Sequence, residues 1–149
     1  MHRARTPASV TSWSCPSATW PGRDGRHSRD ARAPREIAIA PAPALERAVS
    51  AAGWTVAELD GIEINEAFAC VPLASVRVLA VGAPGVEQDL LARLNVNGGA
   101  VAIGHPPGAS GARLVLTLGR RLHAAGGGRG AASICGGLGQ ADAVALEVA

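Results

Sequence analysis

Three short stretches of this 149-residue sequence combine reactive side chains with glycine-rich backbone. They are residues 65–68 (Asn-Glu-Ala-Phe), residues 97–106 (Asn-Gly-Gly-Ala-Val-Ala-Ile-Gly-His-Pro) and residues 135–139 (Cys-Gly-Gly-Leu-Gly). A neutral imidazole accepts protons near neutral pH, and a thiol exchanges them when its surroundings shift its pKa. A carboxamide donates hydrogen bonds to an oxyanion. The three stretches therefore offer the side chains of acid–base and oxyanion chemistry.

The elements that must position these residues can be predicted from residue 36 onward. Pro41 and Pro43 open a helical segment that ends at Gly53, and Thr55 with Glu58 forms a capping box. The further predicted elements are a strand over 61–65, a buried helix over 67–79, a short surface helix over 86–94, a buried strand over 96–103, a helix over 110–124, and strands over 131–135 and 143–148. Strands separated by helices indicate an α/β domain with a largely parallel sheet, and the last two strands, joined by a glycine-rich turn, add an antiparallel edge.

Each reactive stretch falls where a predicted strand ends and a loop or helix begins. Open parallel sheets place ligand sites at the carboxyl ends of their strands, so we expect the three stretches to converge on one crevice. The helix over 67–79 contains Pro72, which must lie in its first turn or kink it. The first turns of the helix over 110–124 are apolar nearly all round, which predicts that they are enclosed on several sides. Its last turn, with Arg120, Arg121 and His123, is predicted to be exposed.

Residues 1–34 differ in character from the rest of the chain. They are rich in Pro, Ser, Arg and Gly and show no apolar period, although they contain Trp13 and Trp20. We therefore predict a disordered arm over 1–34 and a folded domain over 35–149. No aromatic or helical periodicity organises the arginines of the arm, which favours a solvated segment over nucleic-acid binding. The abrupt change near Glu36 leaves open that the arm is translated from a wrong start or a shifted frame.

The composition sets the class of protein. Hydrophobic residues make up 48% and charged residues 17% of the chain, and the net charge is +2, which is typical of one globular domain with a real core. No apolar run reaches the roughly 20 residues that cross a bilayer, so we expect a soluble, cytoplasmic protein without a membrane partner. Cys15, Cys70 and Cys135 are odd in number and lack CxxC spacing, which argues against a disulfide framework and a zinc site.

The reactive stretches together resemble the sequence blocks of the thiolase family. Residues 95–113 are similar to the thiolase signature almost residue for residue, and residues 65–68 and 135–139 resemble the family's Asn-Glu-Ala-Phe and CxGxG blocks in the same order. The resemblance runs from about Glu36 to the end of the chain. It implies the carboxyl-terminal half of the thiolase fold, a mixed sheet with a buried helix. It also implies an acyl-CoA acyltransferase, which forms 3-ketoacyl-CoA by Claisen condensation or cleaves it by thiolysis. Its substrates would be acyl-CoA and CoA, and it would have no resident cofactor or metal.

The resemblance also implies roles for two proton-transferring side chains. His105 matches the histidine that activates the nucleophilic cysteine and then helps to bind the thioester oxygen. An imidazole with an unperturbed pKa of about 6.5 can accept a thiol proton near neutral pH. Cys135 matches the second cysteine, which exchanges protons with the substrate's α-carbon or the leaving group.

Four further residues are assigned to the site through the same resemblance. Asn65 matches the asparagine that orients a water in the enolate-binding oxyanion hole, and the backbone N–H of Gly137 matches a donor of the second oxyanion hole. Phe68 and Gly104 are assigned to substrate binding, with Phe68 lining the acyl pocket. Taken singly, a histidine beside proline is more often a turn residue, and an asparagine at a strand end is more often a cap. A cysteine in an apolar strand is more often a core residue. The joint pattern favours the catalytic interpretation.

No segment of the chain resembles the surroundings of the family's nucleophilic cysteine or its CoA-gripping loop domain. Two classes of function therefore stay open: a fragment or split partner of a thiolase that works with a chain supplying the nucleophile, or a non-catalytic remnant or partner subunit. We expect the isolated chain to be inactive. A ketoacyl-synthase type of condensing enzyme is a weaker alternative because it lacks the paired blocks. Apolar surface that would pack on an amino-terminal half predicts association with such a half or with further copies of the chain.

Overall fold

The structure is a computed structural model and describes residues 26–149. Four strands and five α-helices follow one another in this range. They are β1 (His27–Ala31), α1 (Pro41–Ala51), β2 (Gly61–Ile64), α2 (Cys70–Leu79), α3 (Pro84–Arg93), α4 (Ala100–Ile103), α5 (Pro107–Ala124), β3 (Gly128–Cys135) and β4 (Gln140–Val148). Short 3-10 turns cover Pro34–Glu36, Val56–Glu58 and Gly137–Gly139.

The strands form one mixed sheet in the order β1-β4-β3-β2. Strand β2 runs parallel to β3, with Ile64 opposite Ser133, whereas β4 runs antiparallel to both of its neighbours. The α/β class and the mixed sheet are confirmed, but the expectation of a largely parallel sheet is wrong. Only the β2–β3 pair needs a helical crossover, because the tight turn at Gly136–Gly139 returns β4 directly beside β3. Strand β4 is also not an edge, since β1 pairs with its outer side.

Helices cover both faces of the sheet. The core on one face joins α1 and α2 to the strands, and it includes Leu45, Val49 and Val76 from the helices with Ile62 and Ile64 from β2. The core on the other face joins Leu114, Leu118 and Leu122 of α5 to Ala132 of β3. Because both faces are covered at β2, all four of its residues are buried, including the charged Glu63.

The local signals for the first helices are confirmed. Helix α1 begins at Pro41, and Gly53 follows its end with a φ of 78° that only glycine adopts without strain. Glu58 accepts a 2.7 Å hydrogen bond from the backbone N–H of Thr55, which is the bond that the glutamate of a capping box makes, and a further 2.9 Å bond from the Thr55 hydroxyl. Helix α2 begins at Cys70, so Pro72 lies in its first turn and breaks no helical hydrogen bond.

The predicted strand over 96–103 is wrong. Gly98 turns the chain with a φ of 81°, and residues 100–103 form the short helix α4. Glu66 stabilises the start of this helix, because its carboxylate accepts a 2.8 Å hydrogen bond from the backbone N–H of Val101. The only parallel bridge of this region to β2 lies just before it, between Leu94 and Ile62. Apolar composition alone does not distinguish a short strand from a short helix.

The predicted disordered arm needs a correction over residues 27–31, which form the edge strand β1. Its side chains are mostly polar, so it shows no apolar period, and backbone pairing with β4 provides its order. Arg29 donates to Asp142 of β4 at 2.7 Å, and Ser28 bonds the carbonyl oxygen of Ala44 in α1. Residues 1–25 lie outside the described residues, and the predicted boundary at residue 35 stays a prediction.

Helix α5 is less enclosed than its sequence predicts. One face packs on the sheet, but Val115 and Leu116 on the opposite side are exposed, as are Val101 and Ile103 of α4. At its last turn Arg120 and His123 are exposed as predicted, whereas Arg121 is half-buried and donates to the carbonyl oxygens of Arg93 and Asp60. Within residues 26–149, no helix is both long and apolar enough to span a bilayer.

Candidate active site

His105 lies in the short connection between α4 and α5, held from two sides. Gly104 before it has a φ of 89°, and Pro106 after it precedes the first turn of α5. The ring Nδ1 lies 2.7 Å from the hydroxyl of Ser110, and Nε2 lies 3.3 Å from Nδ2 of Asn65. The imidazole is therefore fixed between the start of α5 and the end of β2.

The contacts of Ser110 and Asn65 assign a tautomer to the neutral His105 ring. The Ser110 hydroxyl lies within hydrogen-bond distance of the carbonyl oxygen of Pro106, at 3.0 Å, and of Nδ1 of His105, at 2.7 Å. When its single hydrogen is donated to Pro106, its oxygen accepts from Nδ1–H of His105. Nε2 is then unprotonated and accepts from the amide of Asn65. We assign this tautomer, in which Nε2 is the basic atom, because it satisfies all three contacts.

Asn65 follows the last residue of β2 and is fully buried. Its backbone N–H donates to the carbonyl oxygen of Ser133 at 2.9 Å and extends the parallel pairing with β3 by one bond. The rigid end of the sheet therefore sets the direction of the side chain, and Nδ2 points to His105. The other amide atom, Oδ1, is buried without a hydrogen-bond partner among the described residues.

A second asparagine and the motif glutamate support the strand from its open side. The side chain of Asn95 accepts from the N–H of Ile64 at 2.9 Å and donates to its carbonyl oxygen at 2.8 Å, which replaces the missing neighbour of β2. Asn95 also donates to Glu66 at 3.1 Å. The sequence motifs indicate no role for Asn95, Glu66 or Ser110. Only their positions in the sequence could have suggested a role. Asn95 shortly precedes a glycine turn, Glu66 follows Asn65, and Ser110 lies in the first turn of the helix after His105.

Cys135 is the last residue of β3 and is buried on the side of α1. Burial raises the pKa of its thiol, so the protonated form is favoured near neutral pH. Strands β2 and β3 are parallel, and their pairing ends at Ile64 and Ser133. Asn65 and Cys135 therefore both lie at the carboxyl ends of these strands. Within residues 26–149, no hydrogen bond joins Cys135 to His105 or Asn65. The structure thus brings His105 and Asn65 into contact and places Cys135 at the same end of the sheet.

The remaining predicted site residues lie on exposed backbone. A Cβ built on Gly137 would meet nothing within 4 Å, and Leu138 beside it is 74% exposed with a φ of 63°. Phe68 is 62% exposed, so no acyl pocket closes around it within the described residues. Its assignment, like those of Gly104 and Gly137, stays a prediction.

Two surface hollows of about 370 Å³ each lie beside the site rather than at His105. One is lined by Glu66, Leu73 and Val101, and the other is an apolar groove between α5 and β4 lined by Leu114, Val115 and Val144. In residues 26–149, no group of three or more His, Cys, Asp or Glu side chains is arranged to hold a metal ion.

Comparison with known proteins places this arrangement in a family. Residues 21–148 match the family model described as thiolase, C-terminal domain. The chain is 48% identical over 115 residues to a beta-ketoadipyl-CoA thiolase of Pseudomonas knackmussii, covering 77% of this chain and 27% of that protein. It is 45% identical over 129 residues to a probable acetyl-CoA acetyltransferase of Mycolicibacterium smegmatis, covering 87% of this chain and 31% of that protein.

A solved structure agrees with these relatives. The crystal structure of human mitochondrial 3-ketoacyl-CoA thiolase in complex with CoA superimposes with a TM-score of 0.73 at 37% identity, covering 83% of this chain and 29% of that one. The chain thus spans about a third or less of the length of the proteins it matches. With a family model that covers most of its residues and a fold that agrees, the chain belongs to the thiolase family and corresponds to its C-terminal domain.

Proposed function

We propose that this chain supplies the histidine, asparagine and second cysteine of a thiolase-type active site, which condenses acyl-CoA thioesters or cleaves 3-ketoacyl-CoA. The observation that carries the proposal is the hold on His105. Ser110 binds Nδ1 and Asn65 faces Nε2, so a basic nitrogen and an amide donor are fixed side by side at the end of a parallel strand pair. A base and an oxyanion donor in contact are what thioester chemistry needs.

In the proposed reaction Nε2 of His105 takes the proton of a nucleophilic thiol. In the thiolytic direction the thiolate attacks the 3-keto carbonyl of the substrate, the acyl group stays on the cysteine sulfur, and the bond to the α-carbon breaks, so that the shorter thioester leaves as its enolate. Nε2 keeps the proton during this step and is a donor, and the Asn65 amide beside it no longer faces a lone pair. Both groups can then donate towards the enolate oxygen, directly or through a water. CoA then attacks the acyl-cysteine, and the released cysteine sulfur recovers the proton from Nε2.

Cys135 acts in this proposal as the acid of the thiolytic direction. Its raised pKa keeps the sulfur protonated near neutral pH, so it gives a proton to the departing carbanion more readily than it removes one. In the condensing direction the same sulfur must first lose its proton, which requires a charge or a donor from elsewhere in the assembled site. Gly137 is exposed and a Cβ there would meet nothing within 4 Å, which supports the proposal that its backbone N–H binds an oxyanion.

CoA and its thioesters are the proposed substrates, on the strength of the relatives' names and of the CoA held by the human enzyme. Phe68 and Gly104 are proposed to contact the acyl group. We propose that the nucleophilic cysteine comes from another segment or chain of thiolase type, and that the exposed side chains of Val101, Ile103 and Leu116 pack on it. A place in fatty-acid or other lipid metabolism and a cytoplasmic location belong to the same proposal.

The test is complementation. The purified chain is mixed with the segment of the Mycolicibacterium smegmatis relative that precedes the matched region, and CoA-dependent cleavage of acetoacetyl-CoA is followed by the loss of substrate. Neither part alone should be active. His105→Ala should lower kcat of the mixture about 10²- to 10⁴-fold, because a general base is removed. His123→Ala, an exposed histidine of α5, is the matched control and should leave kcat unchanged.

Cleavage by the isolated chain that His105→Ala abolishes would contradict the proposed external nucleophile. A complex that forms but shows no cleavage at any ratio would instead indicate a non-catalytic partner subunit. Cleavage by the mixture that His105→Ala leaves intact would remove His105 from the mechanism.

A further inference from the structure

Six buried side-chain nitrogen and oxygen atoms in residues 26–149 have no hydrogen-bond partner, and all six belong to three residues. They are both carboxylate oxygens of Glu63, Oδ1 of Asn65, and the three guanidinium nitrogens of Arg113. When Glu63 is ionised, its oxygens and Oδ1 of Asn65 only accept and the guanidinium nitrogens only donate, so the two sets are chemically complementary. Buried polar atoms are rarely left unpaired, and a cluster of complementary ones needs an explanation.

The fold places the three side chains in one layer between β2 and α5. Gly61, Glu63 and Asn65 alternate along β2 and therefore face the same side. At one end of this row, a Cβ on Gly61 would lie 2.7 Å from Leu118 and 3.2 Å from Nη1 of Arg121. At the other end, Asn65 meets His105, which Ser110 holds in the first turn of α5. Glu63 lies between them, opposite the turn of α5 that carries Arg113.

Electrostatics supports this neighbourhood. Burial raises the pKa of Glu63 to about 7, while the positive charges of Arg113 and, more weakly, Arg121 lower it and the negative charge of Glu66 raises it. Arg113 is thus the strongest positive influence on the buried carboxyl. The two groups nevertheless form no direct hydrogen bond, so the donors of Arg113 and the acceptors of Glu63 stay without partners on either side of the space between them. Ordered water can bridge complementary buried groups of this kind.

We propose that Arg113, Glu63 and Asn65 form one buried hydrogen-bonded network closed by ordered water, in which Arg113 is a positioning residue for the Asn65 amide. An asparagine amide has nearly the same shape in its two flipped orientations, so hydrogen bonds alone select one. Hydrogen-bond donors from Arg113, or from a water bound to it, hold Oδ1 of Asn65 on the side of Glu63. Nδ2 is then turned towards Nε2 of His105. The catalytic meaning of this orientation rests on the proposed function, but the network itself does not.

Arg113→Met tests the network, because methionine keeps length and apolar contact but removes every donor. The readouts are the side-chain amide signals of Asn65 and the ring nitrogen signals of His105 in nuclear magnetic resonance spectra of the whole 149-residue chain. Both should shift beyond their line widths in the variant. Arg120→Met, on the exposed side of the same helix, is the matched control and should move neither. Unchanged Asn65 and His105 signals in folded Arg113→Met would overturn the proposal.

Two further measurements keep the test decisive if Arg113→Met does not fold. Arg113→Lys retains the charge but offers one nitrogen in place of a three-nitrogen fork, so the Asn65 signals should still shift. A crystal structure of the unaltered chain should show water within hydrogen-bond distance of both Glu63 and Arg113, with Oδ1 of Asn65 in the same chain of contacts. A dry gap, or Arg113 directed to solvent, would overturn the proposal. Because none of these readouts measures acyl transfer, a failure of the proposed function leaves them interpretable.

Discussion

Glu63→Gln should flatten the dependence of this chain's stability on pH. Glu63 is fully buried, and burial raises the pKa of its carboxyl from 4.5 to about 7. A carboxyl with a raised pKa in the folded state binds its proton more tightly there than in the unfolded chain. The contribution of that proton to the free energy of unfolding is therefore fully present below pH 4.5 and is lost as the pH rises to about 7.

The magnitude follows from the size of the shift. Each pH unit in this window removes about 1.4 kcal/mol, so the full window removes about 3 kcal/mol from the free energy of unfolding. Glutamine has nearly the same shape, carries no charge and does not titrate. The variant should match the original chain near pH 4.5 and exceed its stability by about 3 kcal/mol near pH 8.

Urea unfolding followed by circular dichroism at several pH values between about 4.5 and 8 measures this difference. Glu147→Gln is the matched control, since Glu147 is an exposed carboxylate of the same sheet that pairs with Arg129 at 3.1 Å. An exposed pair of this kind contributes about 1 kcal/mol or less, and its loss should not remove the slope. A difference between Glu63→Gln and the original chain that stays constant from pH 4.5 to 8 would refute the argument, because it would mean that the carboxyl keeps one protonation state throughout.

The remaining predictions concern the cysteines and two glycines. At pH 8, iodoacetamide should alkylate exposed Cys70 at least about tenfold faster than Cys135, because the Cys135 thiol is buried with a raised pKa. Peptide mass spectrometry measures the two rates, with Cys70→Ser as the control. Equal rates would contradict the buried position of Cys135. Gly99→Ala should lower the free energy of unfolding by about 1–3 kcal/mol, because its Cβ would come within 2.4 Å of the Glu66 side chain and displace a carboxylate that binds Asn95 and Val101. Gly111→Ala, where the added Cβ meets nothing within 4 Å inside α5, should instead raise it by up to about 1 kcal/mol, and the same sign for both variants would show that the Glu66 contact is not the cause.

Much of the fold could be predicted from short-range signals. The start of α1 at Pro41, its end before Gly53 and the capping box of Thr55 were readable because each depends on residues a few positions apart. The edge strand β1 could not be read in this way. Its order comes from pairing with β4 more than 100 positions later, and its mostly polar sequence shows no apolar period that would predict a strand. The region 96–103 failed for a related reason, since Glu66 and Gly98 rather than apolar composition decide its conformation.

For the candidate site, the sequence by itself determined which residue types are present and in which order, and it determined the family through His105, Asn65 and Cys135. Only the tertiary structure decided that Ser110 and Asn65 contact the two nitrogens of His105, and these contacts are the basis for assigning its tautomer. It also decided that Glu63 and Arg113 lie unpaired in the layer behind them. The physical reason is that hydrogen bonds and burial depend on distances between atoms far apart in the chain, and a linear pattern specifies side chains but not those distances.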